Sequence, residues 1–154
     1  MNADWRVRPA TRADADVLAS LERAAFGAAS WGAENVKDGL TAPYVSGLLA
    51  FDESDKAAGF ALWRTLGREA EILTIGAAPA YRKRGVAAAL LAALLEDAAA
   101  QGCAAMFLEV DSGNAAARAL YEKFGFETVG ERKGYYHRED GPAGAALVMR
   151  LKLR

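Results

Sequence analysis

Three groups of residues in this 154-residue chain have the types and spacing to do chemistry. The first is the run Arg82-Lys83-Arg84-Gly85-Val86-Ala87, which follows an apolar stretch and opens a helical pattern. Where a loop opens a helix, free backbone N–H groups and the positive end of the helix dipole converge, so the segment suits an anion such as a pyrophosphate. Gly85 lets the backbone come close, and Ala87 leaves the first turn unobstructed. The same residues also suit a solvated basic turn whose glycine serves only its torsion angles. A nucleic-acid patch is the weaker alternative, because neither an aromatic platform nor a second basic cluster accompanies the three cations.

The second group is Glu109, set between Leu108 and Val110 in an apolar run. An ionised carboxylate in such a strand needs a hydrogen-bonding partner or water. It either sits at an exposed end of the strand or is kept for proton transfer. The third is the pair Asn114 and Tyr121, which at their spacing share one helix face about 10 Å apart along the axis, within reach of one ligand. Read singly, Asn114 is a helix cap and Tyr121 a packing aromatic. Their position directly after the strand of Glu109 is what joins them to it. His137, among Tyr135, Tyr136, Arg138 and Glu139, reads as a surface residue, and Cys103, beside a helix stop, as a small buried apolar one.

The elements that must position these groups follow from periodicity. Alternation over residues 5–9 suits a short strand ended by Pro9. Leu18, Leu21, Ala25 and Phe26 recur at helical spacing after Thr11, with Asp14 completing a near capping box, and a second short helix is expected near 32–40. Runs at 44–51, 57–66 and 69–77, separated by short turns, predict an antiparallel meander. After Pro79 the period changes: Val86, Leu90, Leu91, Leu94, Leu95 and Ala98 form one helical stripe that Gly102 ends. A strand at 104–110 then follows the strand at 69–77 through this helix, an order that requires a parallel crossover. Asn114 caps a helix from 115 to about 124, stopped by Gly125, and strands at 126–131 and 145–153 complete the pattern.

Composition narrows the chemistry. Nineteen Lys plus Arg against twenty Asp plus Glu give a net charge of −1, too balanced to draw the chain onto nucleic acid or a membrane surface. One cysteine excludes an intramolecular disulfide, and one cysteine with one histidine supplies too few soft ligands for zinc, so metal-free chemistry in a reducing compartment is expected. The longest apolar run, at 86–95, is too short to span a bilayer and the first residues carry no apolar leader, which predicts a soluble cytoplasmic protein. Residues 1–154 are expected to form a single domain. The GxGxxG, P-loop, GxSxG and HExxH motifs are absent, which removes the usual support for dehydrogenase, NTPase, serine hydrolase and zinc protease.

Taken together, these residues resemble the GNAT superfamily of acyl-CoA-dependent N-acyltransferases, and within it the RimI-like ribosomal-protein alanine N-acetyltransferases. The likeness spans nearly the whole chain and is densest over 72–136. The Arg82 to Ala87 run resembles the family's [QR]-x-x-G-x-[GA] loop for the pyrophosphate of coenzyme A. Leu108-Glu109-Val110 with Asn114-Ala115-Ala116-Ala117-Arg118-Ala119-Leu120-Tyr121-Glu122-Lys123-Phe124-Gly125-Phe126 resembles its "LEV…N-x-x-A-x-x-L-Y-x-x-x-G-F" segment. Arg132-Lys133-Gly134-Tyr135-Tyr136 is similar to a stretch typical of the RimI-like branch.

The resemblance implies an α/β (α+β) fold with a mixed central sheet of about seven strands, about four flanking helices and a V-shaped split between strands 4 and 5. It places acetyl-CoA in that split. The backbone of Ile75, Gly76 and Ala77 would pair with the pantetheine and polarise the thioester carbonyl. N–H groups of Lys83, Arg84, Gly85, Val86, Ala87 and Ala88, in the loop opened by Arg82, would hold the pyrophosphate, and Asn114 would contact the cofactor arm. Glu109 would be the general base and Tyr121 the general acid.

The implied acceptor is a protein N-terminal α-amine, such as that of a ribosomal protein, with a small-molecule amine or a lysine side chain as the alternative, and the enzyme a monomer or dimer. A CoA-binding module without catalysis is the alternative of another class, against which the presence of both Glu109 and Tyr121 argues. By analogy with the fold, residues 31–44 form one wall of the acceptor groove. The chain departs from the pattern twice. Ala143-Gly144-Ala145 stands where an acidic pair is common, with Glu139-Asp140 earlier, and Ala77 takes the place of a bulkier residue.

Overall fold

A computed structural model describes residues 5–136 and 144–153; His137, Arg138, Glu139, Asp140 and Ala143 therefore lie outside the described residues. Seven strands, β1 (Arg6–Ala10), β2 (Val45–Phe51), β3 (Ala57–Leu66), β4 (Glu69–Ala77), β5 (Ala105–Asp111), β6 (Glu127–Tyr136) and β7 (Gly144–Lys152), form one sheet in the order β1-β2-β3-β4-β5-β7-β6. Helices α1 (Ala15–Phe26), α2 (Ala33–Thr41), α3 (Val86–Ala100) and α4 (Ala115–Lys123) flank it. Neighbouring strands are antiparallel except β4 and β5, whose parallel pairing is the one the α3 crossover requires.

Pro9 lies inside β1 rather than ending it, which an edge strand tolerates because a missing ladder donor there faces no second partner. The residues after Thr11 form a short 3-10 turn, Arg12–Asp14, before α1 begins. Asp14 accepts the Thr11 N–H at 2.8 Å and two bonds from Arg8, and these hold its carboxyl well below the usual carboxylate range, Arg8 most of all.

Alternation divides the apolar residues between two cores. Leu48, Ala61, Trp63, Ile72, Met106, Leu108 and Met149 meet the stripe of α3, including Val86, Leu90, Leu91, Leu94 and Ala98. On the opposite face Leu49, Phe60 and Leu62 meet Leu18 and Leu21 of α1 and Val36 and Leu40 of α2. Gly59 seats the start of α3: a Cβ there would lie 2.5 Å from Val86 Cγ1 and 2.8 Å from the Gly76 carbonyl oxygen, so only glycine lets the helix come this close to β3.

The split in the sheet has a local cause. β4 pairs with β5 only at Glu69, Ala70 and Glu71. Immediately beyond, Trp63 pairs with Ile72 while Leu62 pairs with Thr74, so Leu73 is the extra residue of a β-bulge. Bulges bend and twist the strand that carries them, and here the bend follows the last β4–β5 pair.

Candidate active site

Beyond the bulge, Ile75, Gly76 and Ala77 line one wall of a cleft of about 630 Å³, a size suited to a small-molecule ligand. Its floor is the loop from Tyr81 and the first turn of α3, and its far wall is α4, with Asn114, Ala117 and Tyr121. The cleft thus brings together almost all the residues singled out from the sequence for the cofactor: Ile75, Gly76, Ala77, Arg82, Lys83, Gly85, Val86, Ala87, Ala88 and Asn114. Tyr121 joins them. Arg84 does not line it; its guanidinium lies over the rings of Trp5 and Tyr81, 5.4 and 5.3 Å from their centroids.

Among the described residues, the N–H groups of residues 83–88 make no close hydrogen bond, although residues 82–85 form a turn. Gly85, at φ +88°, is the N-cap of α3, and Lys83 also takes a left-handed conformation at φ +61°. Such geometry is sparse for lysine and needs support from its surroundings. Part of that support is Arg82, which donates to the Ala25 carbonyl at the end of α1 at 2.7 Å. A cluster of unpaired N–H groups at a helix start is the arrangement that favours a pyrophosphate.

Asn114 caps α4, its Oδ1 accepting the Ala117 N–H at 3.2 Å, and it also lines the cleft. Tyr121 likewise both packs and lines the cleft. Its ring stands edge-on to Phe126 at 5.7 Å, only 7% of the residue is exposed, and its hydroxyl has no hydrogen-bond partner among the described residues. Burial pushes its phenol up to about 12.

Glu109 lies elsewhere. Met106, Leu108 and Val110 face α3, so Glu109 points to the other face of β5, where its side chain is 25% exposed. There its Oε1 accepts from Arg132 Nη2 of β6 at 2.7 Å. The partnered and part-exposed carboxylate combines the two conditions under which a strand tolerates a charge. Base and acid candidates therefore stand on opposite sides of β5, whose edge beyond Phe107 does not pair with β4.

Sequence reasoning missed Phe26, which lines the cleft and sets its ring edge against Phe60 at 6.0 Å, and Arg132 as the partner of Glu109. Neither contact has a local signal. Ala117 and Leu120 do: they lie on the helical stripe that joins Asn114 to Tyr121.

The family model of the Acetyltransferase (GNAT) family matches residues 15–126. The chain belongs to the GNAT family. Its relatives include a [ribosomal protein bS18]-alanine N-acetyltransferase of Haemophilus ducreyi, 33% identical over 140 residues that cover 91% of this chain and 94% of that one. Another is the N-alpha-acetyltransferase RimI of Mycobacterium tuberculosis, 37% identical over 131 residues, 82% of this chain and 80% of that one. Among solved structures, the ribosomal-protein-S18-alanine N-acetyltransferase from Escherichia coli superposes with a TM-score of 0.89 at 27% identity, covering 97% of this chain and 94% of that one. This GNAT enzyme is of the RimI-like branch, and it is an acetyl-CoA-dependent N-acetyltransferase. Among the described residues no group of side chains is arranged to hold a metal, and no helix is long and apolar enough to cross a membrane.

Proposed function

We propose that the enzyme, as one domain acting in the cytoplasm, acetylates the N-terminal α-amine of a protein, with Glu109 as general base and Tyr121 as general acid. The observation that carries this reading is the cleft: unpaired N–H donors at one end, the buried phenol at its wall, and an opening beside β4 toward the face that bears Glu109. Acetyl-CoA supplies an activated thioester. The donors at 83–88 bind its pyrophosphate, and the freed edge of Ile75, Gly76 and Ala77 aligns the pantetheine so that the acyl carbon lies at the split.

A model α-amine has a pKa of about 8, so near neutrality it needs to shed only one weakly held proton, whereas a lysine at about 10.4 holds its proton far more firmly. Glu109, through a water, takes that proton on the acceptor face. On the cleft face Tyr121 stays protonated throughout the working range, because burial raises its phenol to about 12. As the amine nitrogen bonds to the acyl carbon and the C–S bond breaks, Tyr121 gives its proton to the departing sulfur, whose own proton affinity rises in the same desolvated cleft, and regains one from water.

The names of the relatives, two of them ribosomal-protein alanine N-acetyltransferases, support a ribosomal protein beginning with alanine as the acceptor. The test is to incubate the enzyme with acetyl-CoA and a panel of peptides with free or blocked N-termini, polyamines and amino acids, and to follow acetylation by mass spectrometry. Acetylation of free peptide N-termini, alanine first, is expected. Preference for a polyamine, or for lysine in blocked peptides, would overturn the acceptor; CoA binding without acetylation of any amine would overturn catalysis.

A further inference from the structure

The loop that carries the unpaired donors is secured from outside the cleft by Trp5, a residue that precedes the span shared with the family model. Its indole N–H donates to the Arg84 carbonyl at 3.1 Å, and the same nitrogen lies 3.7 Å from where a Cβ of Gly85 would be. The indole also stands edge-on to Tyr81, with ring centroids 5.8 Å apart at 81°, and the Arg84 guanidinium covers both rings. Tyr81 is fixed in turn by its hydroxyl, which donates to Asp52 Oδ2 at 2.7 Å. Trp5 itself does not line the cleft.

The peptide unit joining Arg84 to Gly85 is planar and trans, so its C=O and N–H point in opposite directions. A donor that holds the carbonyl outward therefore aims the Gly85 N–H inward. We infer that Trp5 is a positioning residue for the cosubstrate: by gripping the Arg84 carbonyl it orients the Gly85 N–H, in the left-handed turn that opens α3, toward the pyrophosphate. This inference rests on the assignment of the cleft to acetyl-CoA. Without that hold, the Arg84–Gly85 peptide, just ahead of a left-handed glycine, is free to turn over, and a converging set of N–H dipoles favours such a turn when no anion is present.

The test is calorimetric titration of wild type and Trp5→Phe with CoA, dephospho-CoA and pantetheine, with the thermal midpoint of each protein. Phenylalanine keeps a ring on Tyr81 and removes only the donor. CoA and dephospho-CoA, which both carry the pyrophosphate, are expected to bind Trp5→Phe about three- to tenfold more weakly, the range of one uncharged hydrogen bond. Pantetheine, which lacks the pyrophosphate, is expected to bind both proteins alike. Trp5→Ala, which also removes the ring from beneath Arg84, should lose more CoA affinity than Trp5→Phe. Unchanged CoA affinity in Trp5→Phe would overturn the inference, and so would an equal loss for pantetheine or a collapsed thermal midpoint, which would make Trp5 merely structural. Wild type that binds no CoA would overturn the cosubstrate assignment itself, a result distinct from either.

Discussion

On the cleft side of β4 and β5, what the enzyme offers a ligand is mostly main chain: the N–H groups of 83–88 and the strand edge at 75–77. On the opposite face of β5 the offered group is a side chain, Glu109, held by another side chain, Arg132. Main-chain donors are aimed by the fold itself, so they are lost only when the local fold changes. A carboxylate on an open face is aimed by its neighbours and can be replaced without disturbing the sheet. Substitutions behind the cleft should therefore act on stability and cofactor affinity together, while substitutions on the open face should act on turnover alone.

The sharpest test of that division is Glu109→Gln, which keeps size and removes the base. Turnover should fall by roughly 100- to 10,000-fold while CoA affinity, read by calorimetry, stays near wild type; unchanged turnover would take the base role from Glu109. Tyr121→Phe should slow the reaction by about 100-fold, the lower end of the same range, since hydrogen bonding to sulfur is lost while positioning remains.

Tyr121 also predicts an alkaline weakness. Its raised phenol stays neutral in the native state to about pH 12, whereas an unfolded tyrosine ionises near 10, so the native state holds a proton the unfolded state has lost across that window. Stability should therefore be intact below about pH 10 and fall as pH rises to 12, by roughly 2 to 3 kcal/mol from this group, and Tyr121→Phe should show the shallower decline in denaturant melts. Behind the cleft, Gly59→Ala drives a methyl against Val86 and the Gly76 carbonyl, costing about 1 to 3 kcal/mol in stability and weakening CoA binding as α3 shifts. An effect of Gly59→Ala on turnover with no change in melting would erase the distinction between the two regions. Smallest of all, Arg132→Ala should change stability by less than about 1 kcal/mol, because its ion pair with Glu109 is more than half exposed on the arginine side.

Much of this was legible in the residues. Periodicity located the seven strands and four helices, and the glycines at 85, 102 and 125 marked where helices begin or end. The main-chain half of the candidate site was legible for the same reason: a loop that must expose its N–H groups needs a glycine and small residues at fixed spacing. What escaped was long-range or a matter of one residue. The bulge at Leu73 leaves an apolar run looking continuous, because Ile72, Leu73 and Ile75 are all apolar whichever face they meet. Arg84 reads as one cation of a basic turn, yet its side chain covers the nearby Tyr81 ring and that of Trp5, which comes from a distant part of the chain. The partnership of Arg132 with Glu109 depends on β7 lying between β5 and β6, an order no local pattern encodes.

The extra residue in β4 has an implication for how such a site can be gained or lost. A chain lacking Leu73 would keep every existing partner between β3 and β4, yet the two parallel strands would no longer be forced apart, and hydrogen bonding would zip onward through what is now the ligand's berth. The binding space of this enzyme is thus a dislocation in an otherwise regular lattice, one amino acid wide at its origin.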